Sequence, residues 1–427
     1  MKKSLVLIAA LLFCVSLLTA QAAKETSELK APEKIKIEFW YSWGDKIAET
    51  NETLAKMFNE SQDRIEVVAS YQGSYNDLQA KLRAAYVSKT APTVALNESA
   101  SVGVFARSGI SEDLTSYAKR DGYDLANLNK GLMTNSYVDG KLVSIPYMRS
   151  SALMFVNASI LKENGLDPAG PKNWDELLAY GKVLSAKGIT ALSFPIVNEW
   201  YFEAFLGQAG GSIFNAAETA PAFNSKAGVE VLSLWRELQD KGYAKILIGS
   251  DAGTMYKADF QAQKTAMIIS SVADINYFLQ VAKQSGFEMN TAFLPKKENY
   301  ATPTGGANLI LVSNKSEAEK EAGWEFIKFV TQDAQTIYCS QNTGYVPISY
   351  SAVNSDVMTK FYAEYPQFKV AVDQLDYMLP RPTIKTGPEV HAKIKEMVTE
   401  FLLNKTADPA SILTKYEKIA SDIMAGN

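Results

Sequence analysis

Aromatic and acidic side chains recur in the loops that follow the first three strand-like segments of the chain. Trp43, Tyr75 and Glu98 each stand shortly after a segment with the alternation or apolar composition of a strand. Aromatic faces stack on the C–H faces of polyols and sugars, and a carboxylate accepts hydrogen bonds from their hydroxyls. One such residue alone is more often a packing residue, but three on one edge favour a binding site for a hydroxylated small molecule.

A second set of groups would suit the anionic head of a ligand. Gly305 and Gly306 would offer backbone N–H groups, and Ser150 and Ser271 would offer hydroxyls. For any one serine, capping of a helix or turn is an equally good interpretation. The residues therefore indicate binding chemistry, and they leave the ligand open between a phosphorylated polyol and a sugar.

Motifs of catalysis are scarce in this chain. One His and two Cys in 427 residues exclude most metal sites and His-based nucleophile systems, and His391 is expected on a helix as a surface or half-buried residue. The chain has no Gly-x-Ser-x-Gly, Gly-x-Gly-x-x-Gly or phosphate-loop motif. Two carboxylates could serve a glycosidase, but no spacing singles out a pair. We therefore expect no catalytic residue, cofactor or metal, and a secreted carbohydrate-active enzyme is the least favoured alternative.

The elements that would carry these loops alternate between strand and helix. Strand patterns at 35–39, 64–71 and 92–96 are separated by helical spacing of apolar residues. This alternation indicates a parallel sheet with right-handed crossovers, in which ligands bind outside the carboxyl ends of the strands. Extended segments at 142–157 and 305–312 look like strands that cross from one domain to another.

Composition and charge bound the class of protein. A hydrophobic fraction of 47% with 21% charged residues indicates folded domains, and 427 residues suggest two or three of them. The formal net charge of −4 argues against a nucleic-acid partner that is held by a global positive field.

The first residues have the pattern of an export signal. Basic residues, an apolar run too short to span a membrane and Ala20-Gln21-Ala22 predict a signal peptide over residues 1–22 and a flexible tether over 23–33. Cys14 follows the bulky Phe13, so lipid anchoring at Cys14 is less favoured than cleavage. We expect a periplasmic protein.

One long stretch of the chain carries a family resemblance. Asp139-Gly140-Lys141, Ile145-Pro146-Tyr147 and Trp174-Asp175-Glu176-Leu177, with Thr343-Gly344-Tyr345 later, resemble the extracellular solute-binding proteins of ABC importers. The group includes maltose-type sugar binders and glycerol-3-phosphate binders, and the similarity runs from about Ile35 to the C-terminus.

The resemblance implies a fold and a division of the chain. The expected architecture is an α/β two-lobed periplasmic-binding-protein fold of type II, maltose-binding-protein-like, with a hinge of three crossings. Lobe 1 would comprise 34–149 plus 304–349, and lobe 2 would comprise 150–303 plus 350–427. The cleft between the lobes would bind the ligand and close by hinge bending.

Within the family, Tyr71-x-Gly73-Ser74-Tyr75 is most similar to the glycerol-3-phosphate branch. The resemblance implies that Tyr75 and Glu98 bind the glycerol end, while serines, a glycine, a tyrosine and a late cation bind the phosphate. Lys385 is the nearest match to the late arginine of that branch, Arg381 lies close to it, and Arg149 would supply a further cation. The expected ligand-binding residues are Trp43, Tyr75, Glu98, Arg149, Ser150, Trp200, Ser271, Gly306, Tyr345, Arg381 and Lys385.

The function that the resemblance implies is capture of a solute for import. A monomer would bind glycerol-3-phosphate or a glycerophosphodiester and deliver it to an ABC permease in the inner membrane. The alternative keeps this role and replaces the ligand by a mono- or oligosaccharide. The sugar alternative is favoured if the cleft lacks a cation, because a neutral sugar needs none.

Overall fold

The computed structural model describes residues 34–426, which are arranged on one large mixed β-sheet and one short hairpin. The predicted signal peptide and tether lie outside the described residues. The strands are β1 Ile35–Tyr41, β2 Ile65–Tyr71, β3 Val94–Glu98, β4 Tyr137–Val138, β5 Lys141–Leu142, β6 Ile145–Asn157, β7 Thr190–Pro195, β8 Ala244–Leu247, β9 Thr265–Ser271, β10 Met289–Ala292, β11 Thr302–Leu311 and β12 Met378–Leu379.

Helices alternate with the strands along most of the described chain. They are α1 Asp45–Ser61, α2 Tyr75–Ser88, α3 Val102–Arg107, α4 Thr115–Arg120, α5 Lys130–Met133, α6 Ala158–Glu163, α7 Trp174–Ser185, α8 Trp200–Gln208, α9 Lys226–Asp240, α10 Ala252–Gln261, α11 Ile275–Ser285, α12 Glu317–Val330, α13 Asp333–Thr343, α14 Tyr350–Val353, α15 Asp356–Glu364, α16 Pro366–Asp373, α17 Gly387–Leu403 and α18 Pro409–Ala425. None of these helices combines the length and the apolarity needed to cross a bilayer.

The sheet has two parallel parts joined by two long antiparallel strands. Its order is β2-β1-β3-β11-β6-β9-β7-β8, with β10 paired to β6 and β12 paired to β11. β1 is parallel to β2 and β3, as the alternation of strands and helices predicts. β7 is parallel to β8 and β9. β11 and β6 run between these parts, so the α/β two-lobed fold is confirmed. The segment predicted at 142–157 forms one strand of 13 residues from Ile145 onwards.

A register shift interrupts the two central strands at the middle of the sheet. Gly306 pairs with Arg149, but Ala307 pairs with Tyr147, so Met148 is an extra residue on β6. Met148 has φ 22° and Gly306 has φ 80°, and a Cβ atom on Gly306 would overlap the carbonyl group of Met148. Only glycine fits this position, and the bulge directs the side chains that follow it out of the regular alternation.

Two apolar cores lie on the sheet. The first surrounds β1 to β3 and includes the buried Phe39 and Trp324, and the second includes Phe194 and Trp235. The spacing of apolar residues predicts the first core, because Trp324 and its neighbours at helical spacing place one face of α12 on the sheet. These cores fix the strands from which the loops of the candidate site project.

Cys339 is the free cysteine of the described residues, and it is buried on α13. Its Sγ atom lies 3.8 Å from Thr343 Oγ1. Burial raises the pKa of the thiol to about 12.

Candidate functional site

The first wall of the site is built from the loops after β1 and β2. Ser74 caps α2 by accepting from the backbone N–H of Asp77, which fixes Tyr75 in the first helical turn. The ring of Trp43 meets that of Tyr75 edge to face, with centroids 5.2 Å apart. Trp43 remains 40% exposed, so its ring can contact a solute. The structure therefore brings together two of the three strand-end residues in the arrangement that the sequence predicts.

Glu98, at the end of β3, is the third strand-end residue. Its Oε2 atom accepts a hydrogen bond of 3.1 Å from Gln79 Nε2. Burial raises the pKa of Glu98, while the positive charge of Arg381 lowers it in part. Glu98 also acts on Tyr75: burial first and then the charge of Glu98 raise the pKa of this phenol to about 12. Tyr75 is thus a neutral hydroxyl beside the carboxyl group of Glu98, and both groups can bind a polyol.

Tyr345 lies against the first wall from the far end of the chain. It follows Gly344, which ends α13 in the left-handed conformation with φ 85°. Burial raises the pKa of Tyr345 well above its usual range, and the neighbouring Tyr75 raises it further by charge and hydrogen bonding. The two phenols are therefore adjacent, as the expected ligand set requires.

Arg149 lies on β6 at the base of the site and is completely buried. Every hydrogen bond that it makes goes to a neutral oxygen, and among residues 34–426 no carboxylate forms an ion pair with it. Burial lowers the pKa of this guanidinium to about 9. Its acceptors are the carbonyl oxygens of Gly305 and Leu132 at 3.0 and 3.1 Å, Asn135 Oδ1 at 3.0 Å, Asn308 Oδ1 at 2.6 Å and Thr304 Oγ1 at 2.5 Å.

Ser150 and Trp200 meet at Gly305 beside that arginine. A Cβ atom on Gly305 would lie 2.8 Å from Ser150 Oγ and 3.0 Å from Trp200 Cζ2, so glycine allows the indole to lie against the strand. Trp200 Nε1 is buried and has no hydrogen-bond partner within the described part of the chain. Gly306, next on β11, is half-buried. These groups form a polar floor between the two parts of the sheet.

The second wall contains a buried ion cluster that the sequence analysis did not find. Arg381 Nη2 lies 2.7 Å from Glu199 Oε1, and Arg381 Nη1 is paired with Glu203 Oε2. His391 Nδ1 lies 3.3 Å from Glu199 Oε1. All four side chains are buried, so the expectation of a surface or half-buried His391 is wrong. The spacing of Glu199 and Glu203 is the available sequence signal, because residues four apart share a helix face.

Burial and ion pairing shift the pKa values of Glu199, Glu203 and His391 by different amounts. Burial opposes ionisation of Glu199, but the positive charges of His391 and Arg381 outweigh it and hold the pKa at about 2. Burial raises the pKa of Glu203 to about 7, although Arg381 lowers it in part. Burial lowers the pKa of His391 to about 4. The guanidinium of Arg381 is therefore neutralised by at least one carboxylate at pH 7.

The two remaining expected residues are placed differently. Ser271 is half-buried and caps the turn Val272–Asp274, since its Oγ atom accepts from Ala273 N at 3.2 Å. Lys385 is exposed, and the structure shows no ion pair between it and any residue of 34–426. Ser271 therefore has a structural role as well, and Lys385 is not one of the buried groups.

The charged groups of the two walls act on each other. Glu98 interacts with the charges of Arg381 and Glu199, which belong to the opposite wall. Two open hollows of about 300 and 600 Å³ lie elsewhere on the surface. The first is lined by Lys36 and Lys315 among others, and the second by Tyr123 and Tyr137. Neither contains a residue of the two walls, so chemistry rather than hollow volume locates the site. No group of three or more potential metal ligands occurs in the described residues.

A two-lobed α/β molecule with aromatic, hydroxyl and charged groups near the central strands of its sheet has features that suit a small-molecule binding site. The chain belongs to the bacterial extracellular solute-binding protein family, whose model matches residues 53–370. Proteins of this kind are the substrate-binding components of ABC importers, as the resemblance in the sequence implies.

Curated relatives cover most of the chain at low identity. The sn-glycerol-3-phosphate-binding periplasmic protein of Yersinia pseudotuberculosis is 23% identical over 400 residues, which are 88% of this chain and 89% of that protein. The protein of the same name from Brucella abortus is 25% identical over 381 residues, covering 85% and 86% of the two chains.

Solved structures support the fold. The glycerophosphocholine complex of UgpB from Mycobacterium tuberculosis has a TM-score of 0.80 at 23% identity and covers 92% of this chain and 99% of that one. A cyclic alpha-maltosyl-1,6-maltose binding protein from Arthrobacter globiformis also has a TM-score of 0.80, at 24% identity, and covers 92% and 100%. Neighbours with different ligands therefore share this architecture.

Proposed function

We propose that the chain captures glycerol-3-phosphate or a glycerophosphodiester in its cleft and delivers it to an inner-membrane ABC permease. The observation that carries this proposal is Arg149, a fully buried guanidinium that pairs only with neutral oxygens. A buried charge without a counter-ion is costly, and a bound anion would compensate it. The names of the curated relatives support the same class of ligand.

The phosphate would bind at the polar floor. Ser150 and the backbone of Gly306 lie beside Arg149 on the two central strands, and Trp200 Nε1 adds a buried donor without a partner in the described residues. Most of the donors of Arg149 are already used, so its main contribution would be the electrostatic field rather than a bidentate contact. Ser271 and Tyr345 would complete the shell.

The glycerol end would bind at the first wall. Trp43 offers an exposed aromatic face, Tyr75 a neutral hydroxyl, and Glu98 a carboxylate with one oxygen that makes no hydrogen bond to the described residues. A carboxylate beside hydroxyl groups accepts two hydrogen bonds from neighbouring hydroxyls of a polyol. The opposed charges of the floor and the first wall would orient the phosphate away from Glu98.

The lobes would follow the division that the sequence predicts. We assign 34–149 plus 304–349 to lobe 1 and 150–303 plus 350–427 to lobe 2, because β6 and β11 pass between the two parallel parts of the sheet. The protein would act in the periplasm as a monomer after removal of residues 1–22, with lipid anchoring at Cys14 as the less favoured mode of attachment. It would bind without chemical conversion.

A sugar is the second candidate ligand, and the second wall favours it. Arg381 already pairs with Glu199 and Glu203, and Lys385 is exposed, so neither residue offers a free guanidinium or ammonium to a phosphate in the buried site. A mono- or oligosaccharide would use the aromatic rings and carboxylates and would need no cation.

A thermal-shift experiment on the protein without residues 1–22 separates the candidates. The panel contains glycerol-3-phosphate, glycerophosphocholine, maltose, glucose and inorganic phosphate. A ligand at 100 times its Kd stabilises the fold by about 2.7 kcal/mol, which is easily measured. We expect a shift with the glycerol phosphates alone. A shift with a sugar alone would overturn the phosphate proposal, and turnover of a glycoside would overturn the binding role.

The variant Arg149→Met sharpens this experiment. We expect it to lose at least tenfold in affinity for a glycerol phosphate, since the compensating charge is gone, while it remains folded by circular dichroism. Lys385→Met is the matched control, because it also removes one cation, and its affinity should stay within twofold. Equal losses in the two variants would show that general charge, rather than the buried guanidinium, attracts the anion.

A further inference from the structure

One segment between α16 and α17, which includes β12, contacts helices of both proposed lobes. We call residues 375–386 the strap. At its start a Cβ atom on Gly131, in α5, would lie 3.4 Å from the carbonyl oxygen of Leu375. Further along, Leu379 packs on Gly207 of α8, where a Cβ atom would lie 2.6 Å from its Cδ1. Arg381 follows and enters the ion cluster of the second wall.

The end of the strap meets α3, which belongs to the proposed lobe 1. Arg107 Nη1 donates a hydrogen bond to the carbonyl oxygen of Thr383, and Arg107 Nη2 lies 3.0 Å from Asp139 Oδ1. On the lobe 2 side, Thr383 N donates to Glu218 Oε2 at 3.0 Å. The backbone of Thr383 is therefore held between the two lobes, two residues after Arg381.

Gly103 explains how closely α3 and the strap approach. A Cβ atom on Gly103 would overlap the carbonyl group of Thr383 and lie 2.9 Å from its Cα atom. Gly103 does not have a positive φ, and in a helix alanine is preferred to glycine by about 1 kcal/mol. The local backbone therefore gives no reason for glycine, whereas the contact with Thr383 does.

We propose that Gly103 and Arg107 are positioning residues that determine ligand affinity without contacting the ligand. When the lobes close, α3 receives the strap and places Arg381 opposite Glu98. The proposal rests on the proposed function only in requiring a cleft that closes on a solute, and it holds for a glycerol phosphate or a sugar.

The first test does not depend on the identity of the ligand. Arg107→Cys combined with Thr383→Cys retains Gly103, and a bismaleimide as long as an arginine side chain can join the two thiols when α3 and the strap meet. Arg64→Cys with Thr383→Cys is the control, because Arg64 precedes β2 at the end of the sheet remote from the site. We expect cross-linking of the first pair alone. Absence of that cross-link, with and without every compound of the panel, would overturn the proposal.

The second test measures affinity for whichever panel compound stabilises the unsubstituted protein. Gly103→Ala should lower that affinity at least tenfold and leave the Tm of the ligand-free protein unchanged or slightly higher. Gly253→Ala is the matched control, since Gly253 is also helical and its Cβ atom would meet only Val197 Cγ1, at 3.8 Å. Arg107→Ala should lower affinity about fivefold, and Arg107→Lys should recover part of the loss.

The outcomes separate the two proposals. If no panel compound binds but the first pair cross-links, the ligand proposal fails and the contact between α3 and the strap stands. If a compound binds with unchanged affinity to Gly103→Ala, the positioning role is wrong while the ligand proposal stands. A large fall in the Tm of ligand-free Gly103→Ala would place the contact in the permanent structure and would also overturn the positioning role.

Discussion

Two buried guanidinium groups belong to the candidate site, Arg149 at its floor and Arg381 in its second wall, and they have different partners. Arg149 projects from a central strand into five neutral oxygens, and Arg381 projects from a loop toward two carboxylates. Burial lowers the pKa of Arg149 to about 9, whereas the pKa of Arg381 is raised because Glu203 and Glu199 outweigh its burial. The positive field is thus left at the floor of the site and cancelled at the second wall.

The difference shows that burial alone does not identify a ligand-binding cation. Arg381 already has the partners that an anionic ligand would offer, so its role in the fold is the stronger one. Arg149 is held in place by hydrogen bonds that satisfy its donors without cancelling its charge. Only the arrangement at Arg149 leaves a free-energy gain for an incoming anion.

The largest effect on stability is expected when Arg381 is removed. Arg381→Met leaves Glu199 and Glu203 buried without their cation, which should cost about 3–5 kcal/mol of unfolding free energy in urea at pH 7. Adding Glu203→Gln and Glu199→Gln to Arg381→Met should recover much of this loss. A cost below about 1 kcal/mol would mean that the cluster opens to water.

A smaller loss of unfolding free energy is expected when Arg149 is replaced. Arg149→Lys keeps the charge, but an ammonium has three donors and cannot reach all five acceptors. Unsatisfied buried acceptors should cost about 1–3 kcal/mol, again by urea unfolding. Affinity for a glycerol phosphate should fall less than in Arg149→Met, since the field persists. If Arg149→Lys and Arg149→Met lose the same affinity, the guanidinium of Arg149 contacts the ligand directly.

The pH dependence of stability tests the second wall. Between pH 4.5 and 7 the folded protein keeps a proton on Glu203 that the unfolded chain has released, so Glu203 makes stability fall as pH rises. His391 acts oppositely between pH 4 and 6.5, because there the unfolded chain is protonated and the folded protein is not.

Glu203→Gln should therefore make stability rise more steeply with pH between 4.5 and 6.5. The slope should change by up to about 1.4 kcal/mol per pH unit, which is the effect of one proton. Adding His391→Asn should flatten the curve again. If Glu203→Gln leaves the slope unchanged, Glu203 is ionised in the folded protein and the second wall carries a full extra negative charge.

The smallest effect is expected at Lys385. This side chain is exposed, so Lys385→Ala should change the unfolding free energy by less than about 0.5 kcal/mol. Affinity for a glycerol phosphate should also change less than twofold, as measured by calorimetry. A tenfold loss would return Lys385 to the ligand shell and reduce the contrast between the two guanidinium groups.

Local signals in the sequence predict the scaffold and the first wall well. The strand-end positions of Trp43, Tyr75 and Glu98 follow from periodicity, since each strand is short and its loop starts where alternation stops. Asn173 is a preferred residue type for a helix cap, and it caps α7, with its side chain accepting from Glu176 N at 2.9 Å. Such features depend on a few neighbouring residues.

The second wall could not be predicted in the same way. Arg381 lies 182 and 178 residues from its two carboxylate partners, so their contact depends on the complete tertiary fold. The neutral partners of Arg149 come from two separate segments, residues 132–135 and residues 304–308. His391 is on a helix as expected, but its burial is set by packing beside Glu199 rather than by its own neighbours.

The rate at which the buried thiol of Cys339 is modified reports on local opening of the fold. With a pKa of about 12, only ~10⁻⁵ of this thiol is thiolate at pH 7, so alkylating reagents and disulfide oxidants react slowly with the closed fold. Labelling then proceeds through openings that expose α13, a few residues before Tyr345. The rate of modification, followed by mass spectrometry, would therefore measure the rate of local opening around α13 without any added probe.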